Sequence, residues 1–129
     1  KITIIVGNSY GAGNYGMSGR AYGTRFTFTW PTAKIAVMGP KQMAGVMTIV
    51  QRAAAERRGL KFDEEADAKR AETAEYWAEE RSKGLFATSR VSDDGMIDPR
   101  DTRIIIAMTL SACHNNQVEG TKEFGTWRM

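Results

Sequence analysis

The chain has 129 residues, 42% of them hydrophobic, one cysteine and a net charge of +3. That length suits a single domain burying roughly two thirds of its unfolded surface, and the lone Cys113 excludes a disulfide framework or a cysteine-rich metal site within the chain. Six of the 18 basic residues and none of the 15 acidic ones fall in the first 55 positions, so the two parts stand at +6 and −3; the first part favours an anionic ligand, while no basic cluster interleaved with aromatics marks a nucleic-acid surface.

Residues 1–6 are almost wholly apolar and read as a strand covered on both faces. The chain opens inside that pattern with neither an initiator Met nor a leader composition, which reads as the end of something longer. Residues 7–17 then form a glycine-dense turn of the kind that lets bare N–H groups approach a ligand. Residues 14–22 keep Gly16, Ser18 and Gly19 among Tyr15 and Met17, which predicts a short helix held by packing, because glycine costs about 1 kcal/mol per helical site relative to alanine. Positions 25–30 alternate Phe26, Phe28 and Trp30 with threonines, the period of a half-buried strand, and Pro31 ends it. Residues 34–38 read as a further short strand, closed by Gly39 and by Pro40 at the first turn of a helix.

From Lys41 the spacing of Met43, Val46, Met47, Val50 and Ala54 predicts an amphipathic helix that ends at Gly59. A second helix fits residues 64–83, with Asp63 as N-cap, Glu65–Lys69 and Glu79–Lys83 as i, i+4 pairs and Gly84 as the C-terminal glycine. Asp93-Asp94-Gly95 reads as a tight turn, Met96-Ile97 as a brief strand, and Asp98-Pro99-Arg100-Asp101 as the capped start of a helix running to about Ala112. Strands followed by helices indicate an α/β fold. No sequence repeat, linker or run of ~20 apolar residues appears, so the chain reads as one unit, 1–129, with no membrane span.

Gly11-Ala-Gly13-Asn-Tyr-Gly16 matches the letters of the dinucleotide fingerprint G-x-G-x-x-G. The fingerprint wants its first glycine at the end of a strand and an acid about 20 residues on; here Asn8-Ser9-Tyr10 intervene and the first acid is Glu56. The plain alternative is a glycine turn that brings a helix close to a sheet. Side-chain catalysis has little material: His114 is the only histidine and reads as a helix C-terminal residue, with no Ser/His/acid set or metal cluster around it. Asp93, Asp94 and Asp98 are explained by turn and cap duties, and Trp30, Trp77 and Trp127 read as core or interface. An enzyme built on these residues would therefore use backbone amides, each oxyanion donor being worth ~10² to 10³ in rate.

Tyr10-Gly-Ala-Gly-Asn-Tyr-Gly-Met17, Gly19-Arg-Ala-Tyr22, Arg25-Phe26, Trp30-Pro31, Val37-Met-Gly39 and Asp93-Asp-Gly-Met-Ile-Asp-Pro-Arg-Asp-Thr-Arg103 resemble the C-terminal part of the carboxyltransferase β subunit of biotin-dependent acyl-CoA carboxylases. The glycine motif is closer to methylcrotonyl-CoA and geranyl-CoA carboxylases than to propionyl-CoA carboxylase. The resemblance implies a crotonase-like ββα spiral, of which this chain is the biotin-side part, and an oligomer, expected to be a hexamer. It implies biotin as cofactor, presented as carboxybiotin on a carrier domain, and an acyl-CoA substrate resembling 3-methylcrotonyl-CoA. The implied partners are the biotinylated carrier and biotin carboxylase subunit, the N-terminal half of the carboxyltransferase and other β subunits, with no metal, nucleic acid or membrane. By the same resemblance the N–H groups of Ala12 and Gly13 face a developing oxyanion, and Tyr10, Gly11, Ala12, Gly13 and Asn14 bind the cofactor. The expected location is a bacterial cytoplasm or a mitochondrial matrix. Two other readings stay open: a truncated crotonase-like module that only mediates assembly, and a dinucleotide-binding oxidoreductase.

Overall fold

The computed structural model describes residues 1–117, and Trp127 lies outside them. The chain begins with strand β1 (Ile2–Ile5), strand β2 (Asn8–Tyr10) and helix α1 (Gly11–Gly16). After a 3-10 turn, Arg20–Tyr22, the same order recurs as β3 (Phe26–Thr29), β4 (Lys34–Ala36) and helix α2 (Pro40–Arg57). β1 pairs with β3 and β2 with β4, both parallel, so two successive β-β-α units stack into two small sheets. This repeat is one of architecture, carried on different residues in each unit. Helices α3 (Glu64–Ser82), α4 (Gly84–Ser89) and α5 (Thr102–His114) follow.

The segment read as one glycine turn is thus strand and helix. Its residues 8–10 pair with Lys34, Ile35 and Ala36, and the helix begins directly at Gly11. The helix expected over 14–22 is split instead: α1 ends at Gly16, Ser18 turns with φ 64°, and the 3-10 turn follows. The Ser18 carbonyl accepts hydrogen bonds from Thr3 Oγ1 at 2.7 Å and Thr24 Oγ1 at 2.6 Å, which offset the strain of that turn.

β3 is enclosed on both faces rather than on its aromatic side alone. Thr27 and Thr29 are 2% and 0% exposed, less than Phe28 at 8%. Their cover is the segment 93–97, which runs along β3: Asp94 N–H donates to the Thr27 carbonyl at 2.7 Å, Thr29 N–H to the Gly95 carbonyl at 3.1 Å, and Ile97 N–H to the Thr29 carbonyl at 2.8 Å. Buried Asp93 accepts from Thr29 Oγ1 at 2.6 Å and Thr88 Oγ1 at 2.8 Å. Asp93 and Asp94 therefore do more than form a turn; they tie the last third of the chain to the sheet.

α2 and α3 form a helical hairpin. Asp63 caps α3 by accepting from the N–H groups of Glu65 and Ala66. Thr48 Oγ1 donates to buried Asp67 at 2.7 Å, and Arg52 both pairs with Glu64 and lies 4.9 Å from the centroid of the Phe62 ring. The apolar stripe of α2 is not what α3 covers: Met43, Val46, Met47 and Val50 are exposed and only Ala44 is buried. Periodicity identifies an amphipathic helix without identifying its cover. The predicted Glu65–Lys69 pair forms, whereas Lys83 pairs with Glu80 and Glu79 with Lys34. The Glu79 hydrogen bond holds the Lys34 ammonium above its ordinary pKa.

Gly84 is not a left-handed helix stop. It opens α4, donates to the Ala33 carbonyl at 2.7 Å, and a Cβ there would meet the Trp30 and Ala33 carbonyls at 3.2 Å, so glycine serves a close backbone approach. Asp98 caps the turn leading into α5 as expected: the Arg100 guanidinium first, and then the Arg100 N–H, hold its carboxyl below the ordinary aspartate value. The stabilisation from that lowered pKa is complete above the unfolded aspartate value and is lost as pH falls through the folded one. Trp30 is half-buried and its indole N–H donates to Thr102 Oγ1 at 3.1 Å, while Trp77 is exposed beside Tyr76. His114 is the last residue of α5.

Two substitutions should move stability in opposite directions. Thr29→Val keeps the shape but removes a donor to buried Asp93, and should cost about 1–3 kcal/mol in denaturant unfolding. Val91 lies exposed at φ 57°, a position after α4 where glycine is the usual residue, so Val91→Gly should add about 1 kcal/mol by the same measurement.

Candidate functional site

Two helices start at the carboxyl ends of neighbouring parallel strands: α1 directly after β2, and α2 three residues beyond β4. In open α/β sheets this is where ligands sit. The two starts are adjacent, since a Cβ on Gly39, the N-cap of α2, would lie 3.8 Å from the Tyr10 ring. Neither helix has a side-chain cap or an acidic residue in its first turn, and the first turn of α2 carries Lys41. The positive ends of both helix dipoles therefore stand without a local carboxylate to offset them.

Helix geometry leaves the N–H groups of Gly11, Ala12 and Gly13 without an acceptor inside α1, since the first bond of the helix comes from residue 14 to the N-cap carbonyl. Ala12 and Gly13 are exposed, and Tyr10, Gly11 and Asn14 are half-buried around them. Gly11 has φ +51°, and a Cβ on it would meet the Val37 carbonyl oxygen at 2.7 Å. Only glycine makes that turn, which swings α1 across the end of β4. Nothing stands within 4 Å of a Cβ on Gly13, so the space beside its Cα is open. Asn14 Nδ2 donates to Ser9 Oγ at 2.9 Å, tying α1 back to β2.

The five residues predicted for the site are thus contiguous on the end of β2 and the first turn of α1. As a set they do not line the open cleft nearby. That cleft, about 490 Å³, follows β1 and is lined by residues 1–9 with Asn14, Met17 and Ser18, so Asn14 alone is common to both. The helix start at Gly39-Pro40 stands where Pro40 predicts it, but its place beside the first turn of α1 is not legible in the sequence. Sequence reasoning missed β2, and with it one objection to the dinucleotide reading falls: Gly11 does follow a strand directly. The lack of an acid before Glu56 still stands against that reading.

Side chains with acid–base chemistry are not gathered there. Asp93, Asp94 and Asp98 are engaged along β3 and at the start of α5, and His114 closes α5. Among the described residues no group of three or more His, Cys, Asp or Glu is placed to hold a metal, and no helix is long and apolar enough to cross a membrane.

The carboxyl transferase domain family matches residues 1–126 of the chain. The chain is 52% identical over 128 residues to the probable biotin-dependent acyl-coenzyme A carboxylase beta2 subunit of Mycobacterium tuberculosis, covering 99% of this chain and 24% of that protein. It is 47% identical over 130 residues to the mitochondrial methylcrotonoyl-CoA carboxylase beta chain of Arabidopsis thaliana, covering 100% of this chain and 22% of that one. Among solved structures, the beta subunit of geranyl-CoA carboxylase from P. aeruginosa superposes with a TM-score of 0.77 at 35% identity, over 100% of this chain and 24% of that chain. The chain therefore spans about a quarter of the length of these relatives.

Replacing Gly11 by Ala should cost more than 1 kcal/mol in denaturant unfolding, because it adds both the left-handed strain and the contact with the Val37 carbonyl. Gly13→Ala, with open space and an ordinary φ, should shift the same curve by less than about 1 kcal/mol.

Proposed function

We propose that this chain, which belongs to the carboxyl transferase domain family, supplies the biotin-side amides of an acyl-CoA carboxylase's carboxyltransferase site. The observation that carries the reading is the first turn of α1, where exposed Ala12 and Gly13 bear N–H groups with no acceptor in their own helix. Two uncapped helix starts meet there in the acid-free part of the chain. These features fit a neutral ligand whose oxygen gains negative charge during reaction, a role in which each donor is typically worth ~10² to 10³ in rate.

Biotin, when bound, brings the carboxyl group and a ring nitrogen able to serve as base. The lack of a general base among the neighbouring side chains is consistent with that. The chain's own residues have narrower tasks. Ala12 and Gly13 donate to the ureido oxygen; Gly11 sets their direction by its left-handed turn against Val37; Tyr10 flanks the site between the two helix starts; Asn14 fastens α1 to β2 through Ser9.

The recurring β-β-α order, with β1 parallel to β3 and β2 to β4, supports reading the fold as a partial crotonase-like ββα spiral. The acyl-CoA, 3-methylcrotonyl-CoA or a close analogue, would lie mainly on the N-terminal half of the same carboxyltransferase, and the biotin would arrive on the carrier of a biotin carboxylase subunit. Assembly into a homo-oligomer, a hexamer by analogy with the transcarboxylase 12S relative whose structure is described as a hexamer assembly, accounts for the bare apolar face of α2. A bacterial cytoplasm or a mitochondrial matrix is the matching location, the latter named for the plant and insect relatives.

In the full-length subunit, Gly13→Pro removes one of the two N–H groups from a first turn that tolerates proline better than a helix interior. Carboxyl transfer to the acyl-CoA should fall by ~10² to 10³, while carboxylation of biotin by the partner subunit continues. Gly13→Ala, which keeps the N–H, should retain transfer. Unchanged transfer in a Gly13→Pro variant with native circular dichroism would overturn the assignment.

A further inference from the structure

α1 has six residues, no buried side chain and no side-chain cap, so it cannot hold its own direction in water. Its front end is set by the strand pairing of Tyr10 and by Gly11 against Val37. Its rear end needs a separate anchor, since a helix held at one end alone leaves its N–H groups free to swing. The 3-10 turn Arg20–Tyr22 stands directly behind it, joined by the Gly19 N–H, which donates to the Asn14 carbonyl at 2.9 Å. Gly19 is buried against Asn14, where a Cβ would meet Asn14 Oδ1 at 2.2 Å, so a shift of the turn is passed to α1 without slack.

Lys1 Nζ donates to the Tyr22 carbonyl at 3.0 Å, Thr24 Oγ1 donates to the Gly19 carbonyl at 3.1 Å, and the Tyr22 ring meets that of Tyr15 edge-on at 5.9 Å; one ion pair adds the tie between this turn and β3. Arg20 Nη1 pairs with Asp94 Oδ1 at 3.0 Å, while the other carboxylate oxygen of Asp94 accepts the Thr27 N–H at 2.7 Å. Asp94 N–H returns a bond to the Thr27 carbonyl, also at 2.7 Å, and the neighbouring Asp93 is buried on Thr29 and Thr88. Asp94 is thus rigidly mounted on β3, and Arg20 is the movable half. From this geometry we infer that the Arg20–Asp94 pair is a latch that fixes the rear of α1 and so aims the Ala12 and Gly13 amides. Arg20 and Asp94 are positioning residues for carboxyl transfer, an inference that rests on the site proposed above. The side chains are 50% and 30% exposed, so the pair adds little to global stability. Its removal should be felt at the amides and not in unfolding.

The test uses the full-length subunit in its holoenzyme. Arg20→Gln keeps length and loses charge; Arg20→Lys keeps charge and loses the planar fork. The latch predicts that Arg20→Gln lowers kcat for carboxyl transfer about tenfold with KM for acyl-CoA unchanged. It also predicts that amide hydrogen exchange in a peptide covering residues 11–17 speeds up by a similar factor, with exchange in β3 and the melting temperature unmoved. Arg20→Lys should recover most of both. Raising salt should bring the wild type towards the Arg20→Gln rates, because an exposed pair is screened, and should leave Arg20→Gln itself unaffected. The latch is overturned if Arg20→Gln exchanges and turns over like the wild type, if its loss follows a fall in melting temperature, or if Lys gives no recovery. Failure of the latch with an inactive Gly13→Pro leaves the amide site standing; an active Gly13→Pro removes the site itself, whatever the exchange data.

Discussion

At Gly11 a strand becomes a helix in a single residue, and the candidate site depends on how that is done. The chain leaves β2 with φ +51°, so close to the Val37 carbonyl that no side chain fits between them. The constraint is mutual. β2 and β4 are parallel neighbours in register from Asn8 to Tyr10, which brings the residue after each strand to the same end of the sheet. The first turns of α1 and α2 then open side by side, and the amides of Ala12 and Gly13 become available because the strand pairing has already consumed the backbone groups before them. A Cβ at position 11 would separate the helix from the strand end and turn the donors away.

A second layer of the structure is polar where an apolar contact would be expected. The most deeply buried part of β3 carries threonines: the Thr29 hydroxyl donates to Asp93, and the backbone of Thr27 and Thr29 pairs with residues 94–97, while the Thr27 hydroxyl is buried without a partner. Buried hydroxyls and carboxylates are costly unless paired, so this region tolerates little change of register, and it connects two stretches some 65 residues apart in the chain. Arg20 extends that rigid patch to the segment behind α1. The Asp-Asp-Gly turn is therefore a mount for the site region, even though it contributes no group to the amides.

The apolar surface is distributed differently. The core of the described residues is small, with Ile5, Phe28, Ala33, Ala44, Ala87 and Ile97 as its buried hydrophobic members. Ile104, Met108 and Leu110 of α5 and the stripe of α2 are largely exposed. Parallel strands are normally covered on both faces, yet β1 is only half-buried over Ile2, Thr3 and Ile4. A chain spanning about a quarter of its relatives' length is consistent with such uncovered faces.

Much of this was legible from residue order. Asp63 as a cap, Pro40 and Pro99 in first turns, the period of α2 and the Asp98 cap are local effects, decided by a residue and its neighbours within one turn, and each appears where spacing predicts it. The glycine motif and its companions likewise identify the family, because they are ordered letters. Other features depend on what a residue meets from far along the chain. Asn8-Ser9-Tyr10 has no strand pattern of its own and becomes β2 only because β4 lies beside it. Gly84 looks like a helix stop until the Trp30 and Ala33 carbonyls arrive within a Cβ's reach. Thr27 and Thr29 look solvent-facing until residues 93–97 cover them. Sequence by itself determined α2, α3, α5, the Asp63 and Asp98 caps and the family; tertiary structure decided where α1 and α4 form, which strand edges pair, which faces are covered and where the amides of Ala12 and Gly13 point, because each of those is a contact between residues that spacing along the chain does not bring together.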